Sequence, residues 1–257
     1  MTRLCDIFNS YFDVITDTNP EVIDEALKLR YQVYCVEHVY EDSSQFDNDR
    51  EFDDYDCRSV HGLVRHLSSG TAAATVRLVL ADENDPDSLF PIEKNCSEAL
   101  GLYPALLKNI PRKSIAEISR FAVSKNFKRR LGETDNAAGI GPNHDVYIKN
   151  DPLGKRVIPH LILGLFVAIV ELSARQNITH WYAVMDVSLL RLLSRFGINF
   201  LPIGSPVEYH GLRQPCFGRI DDILAGIWNN RPEIWELITR DGSVWPAPAI
   251  PASALCR

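Results

Sequence analysis

The segment IPHLILGLFVAIVEL, residues 158–172, is the most apolar stretch of this 257-residue chain, and its length and composition predict a helix. Its uninterrupted apolar part, residues 161–170, is about half of the roughly 20 residues that a membrane span requires. We therefore predict a buried central helix and no transmembrane segment.

Runs rich in β-forming residues lie on both sides of this helix. Ahead of it we predict a helix from Pro20 and strands at residues 12–16, 60–67, 71–80 and 114–123. After it we predict strands at residues 181–185, 200–203 and 214–220, a helix at 187–196, and a helical region at 221–239 interrupted near Pro232. This order is a mixed α/β one, with the strands clustered ahead of the central helix.

Two long segments lack any apolar period. Residues 41–56 contain eight Asp and Glu residues and predict a loop or a partly ordered cap, while residues 126–158 predict a long loop of the kind that is usually functional. No internal repeat or low-complexity linker divides the chain. We predict one domain over residues 1–245, with its core at 12–220 and a helical extension at 221–240, followed by a mobile tail at 246–257.

The bulk composition excludes several function classes. A net charge of −7 argues against nonspecific nucleic-acid binding. The six cysteines are scattered without metal-like spacing, and the first 18 residues lack the apolar core of a secretory signal, so we predict a cytoplasmic protein with reduced thiols. We predict no metal site, because the histidines show no paired spacing and the acidic run at residues 47–51 lacks the glycine and final glutamate of a calcium loop.

Four short motifs carry charged residues on the predicted elements: LRYQVYCVEHVYE (residues 29–41), EFDDYD (51–56), ATVRLVL (74–80) and EISRF (117–121). In this order and spacing the series resembles the acyl-homoserine-lactone (autoinducer) synthases, which make quorum-sensing signals. It also resembles their relatives, the N-acyl amino acid synthases and the acyltransferases associated with PEP-CTERM/exosortase systems. The resemblance covers roughly residues 12–220. It implies a GNAT-like fold of the mixed α/β (α+β) class, with a central mixed, mostly antiparallel sheet flanked by helices.

The resemblance also implies which residues form the site. The family's helix arginine and the aromatic residue after it match Arg30 and Tyr34, and Tyr40 is the aromatic residue nearest to the position where the family often has tryptophan. The other matches are an Asp-x-x-Asp pair, a strand arginine and the E-x-S-R-F strand, which fall on Asp53 and Asp56, on Arg77, and on Glu117 and Arg120.

Amide formation from a thioester needs an uncharged amine and a polarised carbonyl, and a carboxylate near the amine can take its proton. We predict Glu117, Asp56 and Arg120 as the catalytic residues, with Glu117 as the base. The predicted substrate-binding residues are Arg30, Tyr34, Asp53, Arg77, Phe121 and Val123. In the GNAT fold a backbone N–H on this strand commonly stabilises the oxyanion, here near residues 121–123. The alternative interpretation is a purely structural cluster in which the arginines hold the carboxylates in bidentate pairs.

Basic residues flank the long loop and predict an acyl-donor site: Lys128, Arg129, Arg130, Lys155 and Arg156. The glycines Gly132, Gly139 and Gly141 lack the spacing of a GNAT phosphate loop, so we predict that acyl carrier protein, an acidic partner, carries the donor instead of CoA. We expect no tightly bound cofactor, with acyl-phosphopantetheine or acyl-CoA acting as co-substrate.

The predicted function is therefore fatty-acyl transfer from acyl carrier protein to the amine of a small molecule, either an amino acid or an S-adenosylmethionine-like acceptor. Two alternatives stay open. One is acyl-CoA-dependent acetylation of a small amine or of lysine. The other is a non-catalytic acyl-binding module.

Overall fold

The computed structural model describes residues 3–17, 19–101, 103–127, 157–208 and 210–248. Its strands are β1 (Phe12–Ile15), β2 (Ser59–His66), β3 (Thr71–Leu80), β4 (Ile115–Val123), β5 (His180–Asp186), β6 (Leu201–Pro202), β7 (Val207–Glu208) and β8 (Leu212–Arg219). Its α-helices are α1 (Leu4–Tyr11), α2 (Pro20–Tyr31), α3 (Pro91–Asn95), α4 (Ser97–Leu100), α5 (Tyr103–Leu106), α6 (Ile158–Arg175), α7 (Val187–Arg195), α8 (Ile220–Asn230) and α9 (Pro232–Thr239).

The strands form one sheet in the order β1-β2-β3-β4-β5-β8-β6, and β7 pairs with β8. All of these pairs are antiparallel except β4 with β5, which run parallel. The prediction of a mixed, mostly antiparallel sheet flanked by helices is confirmed.

Helix α6 is the core of the molecule, as its apolar sequence predicts. Fifteen of its 18 residues are buried, and it packs on β1, β2, β3, β4 and α9. Gly62 on β2 permits a close approach, because a Cβ there would lie 2.5 Å from the Cβ of Ala168 on α6. Within the described residues α6 is the one helix long and apolar enough to span a membrane. Because 83% of this helix is buried inside the protein, it has the character of a core helix.

The sheet opens between β4 and β5. Their pairing runs only from Ile115 with His180 to Ile118 with Ala183, although β4 continues to Val123 and β5 to Asp186. The two strands therefore diverge, and the edge of β4 beyond Ile118 has no ladder partner on β5. This divergence creates a cleft within the sheet.

A β-bulge on β4 sets which side chains face each side of the sheet. The register with β3 shifts between Thr75 and Arg77, and Arg120 on the bulged strand has a φ of 49°, in the left-handed region. Ala116 and Ile118 before the bulge, and Phe121 and Val123 after it, all join the α6 side of the core. The extra residue thus lets Ser119 and Arg120, neighbours in sequence, both contact groups on the opposite face of the sheet.

The predicted strands and long helices are confirmed to within about two residues, including the break before Pro232, where α8 ends and α9 begins. Helices α1 and α3 to α5 and strand β7 were not predicted. Each is eight residues or shorter, too short for a clear apolar period. The acidic segment is more ordered than expected: it forms short 3₁₀ turns at Ser43–Gln45, Asp47–Asp49 and Asp54–Arg58. The predicted loop at 126–158 lies mostly outside the described residues, as does the tail from residue 249.

Candidate active site

The cleft between β4 and β5 is a cavity of about 120 Å³. One part of its wall is charged or polar and includes Asp53, Arg77, Glu117, Ser119, Arg120, His210 and Arg213. Another part is apolar and includes Ile118, Phe121, Phe166, Met185, Leu189 and Leu193 from β4, β5, α6 and α7. The cleft therefore offers a polar and an apolar environment side by side.

Arg30 anchors the charged region from the last turn of α2. Its guanidinium is fully buried, donates from Nε to Glu51 at 2.6 Å, and forms a bidentate pair with Asp56 at 2.6 and 2.9 Å. Asp56 also accepts from the backbone N–H of Asp53 at 2.8 Å, in a reciprocal cap that shapes the 3₁₀ turn Asp54–Arg58. The acidic segment is thus tied to α2 by its own carboxylates.

Two more arginines extend the network into the cleft. Arg77 on β3 forms a bidentate pair with Asp53 at 2.6 and 3.0 Å and donates to Ser119 at 3.2 Å. Arg120 on the bulge donates to Glu51 at 2.8 Å and to Asp53 at 3.1 Å, so these two carboxylates bridge the arginines. The predicted bidentate pairs are present at Arg30 and Arg77.

Glu51 is the central member that sequence reasoning missed. Its carboxylate is almost fully buried between Arg30 and Arg120. The available signal was its place in the EFDDYD motif, two residues before Asp53, where an extended backbone puts both side chains on one side. Its burial explains why an acidic segment without apolar period packs against the domain.

The paired carboxylates stay ionised. Burial alone would raise the pKa of Asp56, but the bonds and charge of Arg30, together with Arg77, outweigh it and hold that pKa well below its usual value. The pKa of Glu51 is also lowered, because Arg30 and Arg120 outweigh the effect of burial. These groups are therefore fixed negative charges instead of proton acceptors near neutral pH.

Glu117 behaves in the opposite way. It is buried, and its Oε2 accepts a hydrogen bond from the backbone N–H of Ile92 at 2.8 Å. Burial raises its pKa to about 8, against the lowering effects of that bond and of Arg77. Among the carboxylates lining the cleft, Glu117 thus combines burial with a pKa close to neutral pH, which suits a general base.

Aromatic rings close the cleft near β8. Tyr34 lies under the Arg120 guanidinium at 5.2 Å, within reach of a cation–π interaction. Tyr40 stands between the rings of His38 and His210, with centroid distances of 5.1 and 4.9 Å. Sequence reasoning did not find His210, because only the pairing of β8 with β5 brings it to this site.

The structure brings most of the sequence-predicted site together. Tyr34, Asp53, Arg77, Glu117, Arg120 and Phe121 line the cleft, and Arg30 and Asp56 lie behind them. Val123 is fully buried in the α6 side of the core and is not among the lining residues. Lys128, Arg129, Arg130, Lys155 and Arg156 fall outside the described residues, so the predicted donor site stays a prediction.

Residues 29–134 match the family model described as the acetyltransferase (GNAT) domain. No curated protein sequence matches the chain. The match and the architecture agree, and the chain has the GNAT acyltransferase fold.

Solved structures with similar folds include TofI, crystallised in a ternary complex with an inhibitor and MTA, at 20% identity and a TM-score of 0.54, covering 88% of this chain and 96% of that one. BjaI, a CoA-dependent acyl-homoserine lactone synthase solved with SAM and isopentyl-CoA, shows 20% identity and a TM-score of 0.54, covering 90% and 89%. FeeM, an N-acyl amino acid synthase from uncultured soil microbes, shows 10% identity and a TM-score of 0.51, covering 84% and 93%.

Proposed function

We propose that this GNAT-fold acyltransferase transfers a fatty-acyl group from a thioester to the amine of an amino acid or an S-adenosylmethionine-like acceptor. The observation that carries the proposal is the divided cleft: a buried carboxyl group with a pKa of about 8 faces the same space as an apolar wall. Such a cleft suits a reaction between one polar and one fatty substrate.

In this proposal Glu117 is the general base. An amino-acid amine is mostly protonated at neutral pH, and a carboxylate of comparable pKa can accept its proton directly or through water. The free amine then attacks the thioester carbonyl and a C–N bond forms. As the C–S bond breaks, the nitrogen of the tetrahedral intermediate gives its second proton to the departing thiolate, and the proton held by Glu117 passes to solvent, which leaves the enzyme unchanged.

The arginine network positions the reactants. Because Arg30 and Asp56 lie behind the cleft and are fully engaged with each other, we assign them a positioning role for Asp53, Arg77 and Arg120. We propose that Asp53 and Arg120 contact the acceptor. The oxyanion is stabilised by a backbone N–H on the β4 edge that β5 leaves unpaired beyond Ile118.

The acyl chain occupies the apolar part of the cleft. Phe121 on β4 contacts Phe166 on α6 with ring centroids 6.0 Å apart, and Leu189 and Leu193 extend this surface from α7. A saturated chain buried there is stabilised by about 0.8 kcal/mol per CH₂ group, so chain length should affect binding strongly.

The donor is acyl carrier protein in our preferred version, on the basis of the basic residues that flank the long loop. The similar structure BjaI is a CoA-dependent acyl-homoserine lactone synthase, which makes acyl-CoA the second candidate. Both donors belong to the cytoplasm, where we propose that the protein works.

The test is a product search. Purified protein is incubated with acyl carrier protein or CoA thioesters of several chain lengths and with the amino acids and S-adenosylmethionine, and new amides are sought by mass spectrometry. Glu117→Gln should lose turnover, whereas Asp24→Asn, in an ion pair with Arg50 outside the cleft, should not. Absence of any amide with every pair would refute the proposal.

A further inference from the structure

We propose that Arg213 binds the α-carboxylate of the acceptor, so that the enzyme requires an amino acid with a free carboxylate. The inference rests on the proposed function and makes its acceptor class narrower. It follows from the contacts of Arg213, which has no ion pair with a carboxylate in the described residues, whereas Arg77 and Arg120 both have one.

Arg213 is a half-buried residue of β8 that lines the cleft. Its Nε is buried without a hydrogen-bond partner, and within the described part of the chain its guanidinium makes one hydrogen bond, from NH2 to the carbonyl of His210 at 3.4 Å. The ring of Tyr40 lies 5.9 Å away. Asp186, the residue opposite Arg213 on β5, accepts a hydrogen bond from the backbone N–H of Ser188 at the start of α7. In the described residues no carboxylate forms an ion pair with Arg213.

The other two arginines of the cleft wall are already neutralised. Arg77 holds Asp53 in a bidentate pair, and Arg120 contacts Glu51, Asp53 and Glu41. An incoming carboxylate at either position would meet these acidic groups and be repelled. A carboxylate at Arg213 would instead form the charge-assisted pair that this guanidinium lacks.

The two sides of the cleft carry opposite charges, as binding of a zwitterionic amino acid requires. The β4 side has the carboxyl group of Glu117 and, held by Arg77 and Arg120, that of Asp53, and both suit an amine. The β8 side carries the cation of Arg213. Glu117 is opposite Tyr182 and Arg213 is opposite Asp186, so the two backbone positions are offset by about 13 Å along β5. Since β4 and β8 lie on the two sides of β5, the positions are also about 10 Å apart across the sheet, or about 16 Å in all, a span for two side chains and a small molecule between them.

This arrangement predicts discrimination between an acid and its amide. A hydrogen bond to a charged partner that is lost without replacement lowers affinity by about 10- to 100-fold. The α-carboxamide of an acceptor keeps its size but loses the charge, and should therefore bind and react correspondingly less well.

The experiment measures binding, so it does not depend on turnover. N-octanoylglycine and N-octanoylmethionine, each with its carboxamide, are titrated calorimetrically into wild-type protein, Arg213→Gln and Arg219→Gln. Arg219 is a matched control, since it lies on the same strand with an exposed side chain paired to Asp221. We expect the wild type and Arg219→Gln to prefer an acid over its amide by at least about 10-fold, and Arg213→Gln to bind both equally.

Three outcomes would overturn the inference: equal binding of acid and amide by the wild type, no binding of either acid, or an acid preference that survives in Arg213→Gln. The proposed function fails separately, when no donor and acceptor pair yields an amide. Loss of acid preference in Arg213→Gln together with absent turnover would support the carboxylate site while refuting acyl transfer.

Discussion

Glu117→Gln should change the pH dependence of stability, because it replaces a buried carboxyl group whose folded-state pKa is about 8 with a neutral amide of the same shape. The unfolded chain releases this proton at a pKa near 4.5, whereas the folded protein retains it up to about pH 8. Between these values the folded state binds more protons than the unfolded state. The stability that Glu117 contributes therefore falls as pH rises through this window and levels off above the folded-state pKa.

The magnitude follows from this window. Stability changes by about 1.4 kcal/mol for each pH unit in which one proton separates the two states. From pH 6 up to the folded-state pKa near 8, a range of about two pH units, the folded protein holds one more proton than the unfolded chain. Between pH 6 and pH 9 the free energy of unfolding of the wild type should therefore fall by about 3 kcal/mol relative to that of Glu117→Gln. Urea unfolding of both proteins at the two pH values measures this double difference, in which the other titrating groups cancel.

Asp24→Asn provides the control. The hydrogen bond from Arg50, with that from Lys28, lowers the Asp24 pKa to about 2, so this group stays ionised throughout and its variant should show the same difference at both pH values. If the gap between wild type and Glu117→Gln is also unchanged from pH 6 to pH 9, Glu117 is not a protonated buried group, and its assignment as the base loses its physical support.

Three further predictions follow from the same contacts. The pH profile of kcat/KM should contain an inflection near pH 8 from deprotonation of Glu117, and the residual activity of Glu117→Gln should lack it. A wild-type profile without this inflection would contradict the assignment of Glu117 as the base. Arg30→Leu removes one of the two arginine partners of the carboxylates of Glu51 and Asp56 and should lower the free energy of unfolding by about 3–5 kcal/mol. Arg65→Leu, in a half-exposed pair with Glu25, should lower it by less than about 1 kcal/mol; equal losses would show that burial does not matter here. Gly62→Ala adds a carbon in contact with α6, and this overpacking should lower the free energy of unfolding, measured with urea, by about 1–3 kcal/mol. An unchanged free energy would mean that the helix shifts freely on the sheet.

The elements with a strong local signal were predictable. The apolar run of helix α6 is too long for a strand, which leaves a helix as its structure. The predicted bounds of β3 match the structure because a Ser-Ser-Gly turn precedes its run of β-forming residues. The charged residues of the site were identified by resemblance, and their need for partners of opposite charge follows from their burial in a domain core. The four- and five-residue helices α3 to α5 carry too few residues for a periodic signal.

The tertiary structure alone decided how these groups work. Whether a glutamate is a base or a fixed charge depends on its neighbours: Glu51 lies between two arginines, whereas Glu117 is buried beside a backbone N–H. The bulge at Arg120 and the divergence of β4 from β5 arise from pairing with other strands, and Arg213 enters the cleft because β8 joins β5. The sequence by itself determined the long helices, the main strands and which charges need partners, since local propensity and charge are properties of short segments. Burial and distance between remote segments determine pKa and pairing, and those exist only in the folded chain.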